Sequence, residues 1–295
     1  AVPILLTALF VNLLVFVTGL GFESGGARRW LSLGSRTFQP SEFIKLGFVI
    51  YLAAWLTRSN IQLANWKSGL WPFLVFVAIV GSILIAEPDL GTFLILLVAA
   101  ASMFFVAGGR WSHLLIIFLV ALSILAGMIT FKPYVRERVL TFLDPTENVL
   151  SQSYQINQSL IAIGSGGLWG RGFGRSIQKY YYLPEPIGDS IFAVAGEEFG
   201  FIGGLMIIGI FLVFTLWSFR LAARTLDRFG RVLLVGLVVL IVTSAFINIA
   251  SMLGLVPLTG IPLIFMSHGG SSLLFSLIDC GIILNIAKQG GKTRI

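Results

Sequence analysis

Residues 157–198 read NQSLIAIGSGGLWGRGFGRSIQKYYYLPEPIGDSIFAVAGEE. This polar, glycine-dense stretch sits in a chain that is 57% hydrophobic and 11% charged. Soluble domains carry about 25% charged residues, so the composition is that of an integral membrane protein. A membrane protein keeps irregular polar backbone at membrane level only where it is buried in protein or lines a water-filled cavity. The stretch therefore divides the chain into an apolar scaffold and a chemically equipped segment.

Working outward, apolar runs near the ~20 residues a bilayer requires recur along the whole chain. Eight spans are expected, at about 2–21, 43–56, 69–86, 92–107, 113–130, 190–217, 232–253 and 272–287. The expected fold is an all-α polytopic helical bundle, one membrane domain over 1–295 with a large extracytoplasmic loop over 131–189. The weak alternation of an outer-membrane barrel is absent. The chain opens AVPILLTALF inside an apolar run, and the reading is of a fragment lacking about two N-terminal helices. The single cysteine, Cys280, excludes an intramolecular disulfide and reads as a packing residue.

The net charge of +7 does not call for nucleic acid, because lysine and arginine collect at the cytoplasmic ends of spans. Arg58, Lys67, Arg110, Arg220, Arg224, Arg228, Arg231, Lys288, Lys292 and Arg294 fall in one set of connections, with Asp227 as the one acid. That set is assigned to the cytoplasm. The long loop, the EPDLGT turn (87–92) and the proline-rich segment 254–271 then face outward, with 11 of the 13 acids. A mixed-charge outer face suits a polar, charged substrate better than an apolar one.

Five segments are equipped for chemistry. Six glycines between Gly164 and Gly174, followed by Arg175 and Lys179, can form a backbone anion nest. A re-entrant turn that needs close helix approach explains them equally well. In YLPEPIGD, Glu185 and Asp189 are set in a proline-stiffened approach to an apolar run. Asp189 reads either as an N-cap or as a carboxylate whose partial burial suits it to general-base work.

In GARRWLSLGSRTFQPSEFIK (26–45), Arg28 and Arg29 lie on an outer loop, and Glu42 and Lys45 share one helix face. They form either an interfacial ion pair of little worth or part of a pathway inside the membrane. Glu87 and Asp89 bracket a proline, and solvated turn acids are the default reading there. His268, in GLVPLTGIPLIFMSHGGSSLL, reads first as a hydrogen-bonded structural group. No zinc-like spacing occurs. Asp279, inside the last span, is expected to pair with a polar residue such as Asn248.

Together, GARRWLSLG…FQPSEFIK, EPDLGT, the 157–204 stretch and VPLTGIPLIFMSHGGSSLL resemble the SEDS family of cell-shape, division and sporulation proteins (RodA, FtsW, SpoVE). The likeness covers nearly the whole chain and is nearer to FtsW. It implies ten transmembrane helices in the intact protein, with these eight as the third to tenth.

It also implies a peptidoglycan glycosyltransferase that polymerises lipid II at the outer face of the bacterial cytoplasmic membrane. The implied partners are a class B penicillin-binding protein transpeptidase and other divisome or elongasome membrane proteins. By the same resemblance Asp189 matches the family's essential carboxylate, and Arg29, Glu42, Lys45 and Asp89 match its cavity residues. Arg28, Arg175, Glu185 and His268 complete the expected substrate-binding set. No resident cofactor is called for, and a requirement for a divalent cation (magnesium or manganese) stays open. A lipid II flippase and a non-catalytic scaffold are the alternative readings. Two departures, IGDSIFAV for the usual HTDFIFAV and MSHGG for ISYGG, leave the carboxylate in place and alter its surroundings.

Overall fold

The computed structural model describes residues 1–17, 21–24, 27–33, 36–59, 61–144 and 152–292. Helix α1 is Val2–Leu13. It is followed by strands β1 (Gly21–Ser24), β2 (Ala27–Leu33) and β3 (Arg36–Phe38). Helices α2 (Pro40–Leu56), α3 (Trp71–Ala86), α4 (Leu90–Val106) and α5 (Trp111–Phe131) come next. The long loop contains α6 (Pro133–Leu143), α7 (Gln152–Gly166) and the single turn α8 (Gln178–Tyr181). The chain closes with α9 (Ile191–Arg224), α10 (Arg228–Met252) and α11 (Gly270–Lys292).

Among the described residues, five helical segments are long and apolar enough to cross a membrane: Trp66–Ala86, Trp111–Phe131, Ile191–Arg224, Arg228–Met252 and Gly270–Gln289. Val2–Phe16 and Leu90–Val106 are shorter apolar helices. Helix α10 is buried at every residue from Val232 to Ile241, as expected of a helix apolar all round.

The all-α expectation needs a correction. Residues between α1 and α2 form an antiparallel three-stranded meander in the order β1-β2-β3. Gly21 pairs with Leu31 and Phe22 with Trp30, while Leu31 pairs with Phe38 on the other side. A signal was present in the sequence: ARRWLSL carries β-favouring Trp30 and is bracketed by the dipeptides Gly-Gly and Gly-Ser.

The chain falls into two compact units. One comprises 1–118, 215–243 and 270–295; the other comprises 119–214 and 244–269. In the first, α2 is the core helix, with Ile44, Phe48, Val49, Leu52 and Ala53 fully buried. Phe48 stacks on Phe76 of α3, and Phe43 stacks on Phe275 of α11. Proline at the first position of α2 costs nothing there, because that N–H has no intrahelical partner. The second unit holds the long loop, the first part of α9 and the irregular segment before α11.

Helix α9 is broken at Gly200, which adopts φ 68° and ψ −165°. Residues 167–172 supply the hydrogen bonds that the break would otherwise forfeit. Arg171 and Gly172 donate their amides to the carbonyls of Glu197 and Glu198 (3.0 Å each), and Phe201 donates to Gly167 (2.8 Å). Non-helical backbone beside a membrane span is tolerated only with such compensation.

Candidate functional site

In the second unit, the sequence PEPIGDS folds into a turn around Glu185. Its φ of 46° turns the chain, and its carbonyl accepts the amides of Gly188 (3.0 Å) and Ser190 (3.1 Å). The three carbonyls that follow are each taken by a different donor. The His268 amide donates to Ile187 (2.8 Å), the Ser267 hydroxyl to Gly188 (2.7 Å) and the Asn248 side-chain amide to Asp189 (2.8 Å). Ser190 is buried, donates to the Pro184 carbonyl and receives Gln155 Nε2.

The turn that carries Asp189 is thus held by three other segments of chain, with Asp189 partly exposed and its carboxylate beside Gly260. The residue immediately before α9 is Ser190, whose carbonyl takes the first-turn amides of Ala193 and Val194. His268 contributes its backbone, and its side chain is exposed. The Glu185 side chain is exposed and lies over Gly188.

Just beyond the glycine segment, the donors at 176–179 are taken by carboxylates of the chain itself. Glu197, fully buried, accepts Ser176 Oγ (2.6 Å) and the amides of Ile177 (3.1 Å) and Gln178 (3.2 Å), with Arg171 Nε at 3.5 Å. Glu198 binds Lys179 Nζ at 2.5 Å. That bond holds the Lys179 ammonium above its ordinary pKa. A Cβ on Gly170 (φ 81°) would overlap the Glu198 carbonyl, and one on Gly200 would overlap the Gly170 amide. Close packing explains Gly170 and Gly200. The Glu197–Glu198 clamp went unread in the sequence because carboxylates in an apolar run point to no partner by themselves. Arg175, beyond the clamp, is exposed.

In the first unit, Lys45 Nζ meets Glu42 Oε1 at 2.8 Å, with both side chains buried. The pair is interior, not the weak interfacial one. Asp279 of α11 is buried and interacts electrostatically with both. The expected Asp279–Asn248 pairing is wrong, since Asn248 Nδ2 is committed to the carbonyls of Asp189 and Ile261. Helical spacing shows that Asp279 faces protein but cannot name the helix it faces.

Glu87 and Asp89 are buried rather than solvated. Asn12 donates to Glu87 Oε2 (3.2 Å), and Asp89 caps α4 by accepting the Thr92 amide (3.2 Å). Burial, opposed by the Asn12 hydrogen bond and reinforced by the charge of Asp89, pushes Glu87 up to about 8. Arg29 reaches from β2 to donate to the carbonyls of Glu87 (3.1 Å) and Pro88, so its guanidinium staples the EPD turn. Arg28 lies on β2 opposite Glu23, and its side chain is outside the described residues. Among the described residues, no group of three or more His, Cys, Asp and Glu side chains is placed to hold a metal ion.

A broken apolar helix, several further apolar helices and buried ionisable groups define a polytopic membrane protein. The chain belongs to the FtsW/RodA/SpoVE family, described as cell cycle proteins, whose model matches residues 1–292. It is 40% identical over 289 residues to the probable peptidoglycan glycosyltransferase FtsW of Geobacter sp. (strain M18), covering 98% of this chain and 79% of that one. It is 39% identical over 279 residues to stage V sporulation protein E of Bacillus subtilis (strain 168), covering 95% and 76%.

Among solved structures, a chain of a peptidoglycan synthase complex, described as coordinating polymerization and crosslinking, is 30% identical with a TM-score of 0.78. That match covers 98% of this chain and 80% of that one. The rod-shape-determining protein RodA of Thermus thermophilus is 28% identical with a TM-score of 0.68, covering 97% and 77%.

Proposed function

We propose that this protein is a peptidoglycan glycosyltransferase, an eight-helix membrane domain over 1–295 that polymerises lipid II at the outer face of the bacterial cytoplasmic membrane. Asp189 is the general base. It accepts the proton of the acceptor sugar's 4-hydroxyl as that oxygen attacks the donor's anomeric carbon and pyrophosphate departs. One displacement inverts the centre, and general-base help of this kind is worth about 10²–10⁴ in rate.

The observation that carries this reading is the run of three anchored carbonyls, Ile187, Gly188 and Asp189, which fixes the backbone of one carboxylate. Orientation of a reacting group is itself a large part of catalysis. In the same unit, Arg175 is the exposed cation proposed to meet the pyrophosphate. In the first unit, the buried Glu42, Lys45 and Asp279 are proposed to bind substrate, because ionisable groups inside apolar helices mark pathways and sites. Arg29 and Asp89 support the turn instead. The names of the relatives in division and of the synthase complex support a penicillin-binding transpeptidase as partner.

The test is Asp189→Asn in purified protein reconstituted with lipid II. The expected result is loss of glycan polymer with lipid II translocation unchanged. Polymer at the wild-type rate would remove the general base, and loss of translocation instead would favour the flippase.

A further inference from the structure

A cavity of about 950 Å³ in the first unit lies where α2 and α4 end and α10 begins. Along α2 and α4 it is at the opposite helix ends from the EPDLGT turn and the start of α2. Four arginines line it: Arg58, Arg110, Arg228 and Arg231. No carboxylate is among its lining residues.

Arg231 gives Nε and Nη2 to the Thr225 carbonyl (3.0 and 2.8 Å). Among the described residues, none of the four arginines is in a salt bridge. The nearby acid, Asp227, is turned to the amides of Phe229 (3.3 Å) and Gly230 (2.7 Å) at the head of α10.

Topogenic charge alone explains arginines at this end of the helices. It does not explain why four converge on one cavity with no counter-charge. Four like charges around one open hollow repel one another, and Arg58, Arg110 and Arg228 are exposed. An anion with several acceptor oxygens relieves that repulsion and suits guanidinium geometry. The cavity has the size of a ligand site, about 300–1,000 Å³.

Its depth indicates the source of the anion. Trp66 lines the cavity and is 47% exposed, and Trp111, next to Arg110, is 74% exposed. Tryptophans of this kind sit at head-group level. Basic pockets between helices on the cytoplasmic side are sites for anionic lipid head groups.

We propose that this cavity binds the phosphate of an anionic phospholipid from the inner leaflet, a site separate from the glycosyl-transfer chemistry. The leaflet follows from the orientation proposed above; the binding itself does not depend on the enzymatic reading.

The experiment is native mass spectrometry of the purified full chain in mild detergent, titrated with dioleoyl-phosphatidylglycerol, dioleoyl-phosphatidylcholine or inorganic pyrophosphate. Phosphatidylglycerol is expected to bind at least tenfold more tightly than phosphatidylcholine. Arg110→Gln/Arg228→Gln is expected to abolish that preference. Ala107→Trp, which fills the cavity without changing charge, is expected to weaken phosphatidylglycerol by a similar factor and serves if the arginine variant does not fold.

Equal phosphatidylglycerol binding by wild type and the folded variants overturns the site. Displacement of the lipid by millimolar pyrophosphate overturns the lipid assignment and identifies a soluble phosphate compound as the ligand. Because no polymerisation is measured, failure of the catalytic proposal and failure of this one are separately visible.

Discussion

Asn248 donates one side-chain amide group to two carbonyls, Asp189 at 2.8 Å and Ile261 at 2.7 Å. One residue of α10 therefore ties the approach to α9 to the segment before α11. An amide that bridges two irregular backbones sets the position of the residue it holds, and here that residue is the proposed base. Asn248→Leu leaves the buried Ile261 carbonyl without its donor, at about 1–3 kcal/mol, and frees the part-buried Asp189 carbonyl. Polymerisation is expected to fall about 10- to 100-fold, because a small misplacement of a reacting group costs rate in that range. Glycan assays on lipid II and a thermal melt check the two effects separately.

Glu197 carries the second prediction. It is buried and receives three hydrogen bonds and the Arg171 side chain. Glu197→Ala leaves the donors of Ser176, Ile177 and Gln178 without their acceptor, at about 1–3 kcal/mol for each that stays buried. Glu197→Gln retains part of the acceptor set and is expected to cost less. Limited proteolysis reads the result, with cleavage within 166–178 appearing in the alanine variant first.

Gly200 permits no side chain. Its positive φ disfavours any other residue, and a Cβ would meet the Gly170 amide. Gly200→Ala is expected to destabilise by more than the ~1 kcal/mol of backbone preference alone. The measured quantity is the shift in melting temperature relative to Gly209→Ala, in the same helix, where a Cβ meets nothing.

The stability of the EPDLGT turn should depend on pH. Glu87 is raised from 4.5 to about 8 in the folded protein. A raised carboxyl pKa means that the folded state binds the proton more tightly than the unfolded one, so stability is fullest below about 4.5 and is lost as pH rises to about 8. Glu87→Gln keeps a neutral group in place and is expected to flatten this slope between pH 5 and 8. Melting temperatures of wild type and variant across that range check the sign.

Glu42 and Lys45 form a buried pair at 2.8 Å. Lys45→Met alone is expected to destabilise by about 3–5 kcal/mol, since it strands a buried carboxylate. Glu42→Gln/Lys45→Met is expected to recover most of that loss while polymerisation stays low. A double-mutant cycle on stability and on rate tests both statements.

The sequence by itself determined that the chain is a membrane protein, where its apolar helices run and which residues are chemically unusual. These follow from local composition and periodicity, because each apolar run must satisfy its own backbone in a bilayer. The ARRWLSL strand lies outside every apolar run, so hydropathy alone reads it as a loop.

Only the tertiary structure decided the partners. It packed Gly166 and Gly170 against the backbone of the broken helix, with Glu197 and Glu198 holding the donors at 176–179 beside them. It moved Asp279 from Asn248 to the Glu42–Lys45 pair. It made Arg29 a staple for the EPD turn. Residues distant in sequence share charge and hydrogen bonds only once helices pack, and no local pattern records which ones will meet.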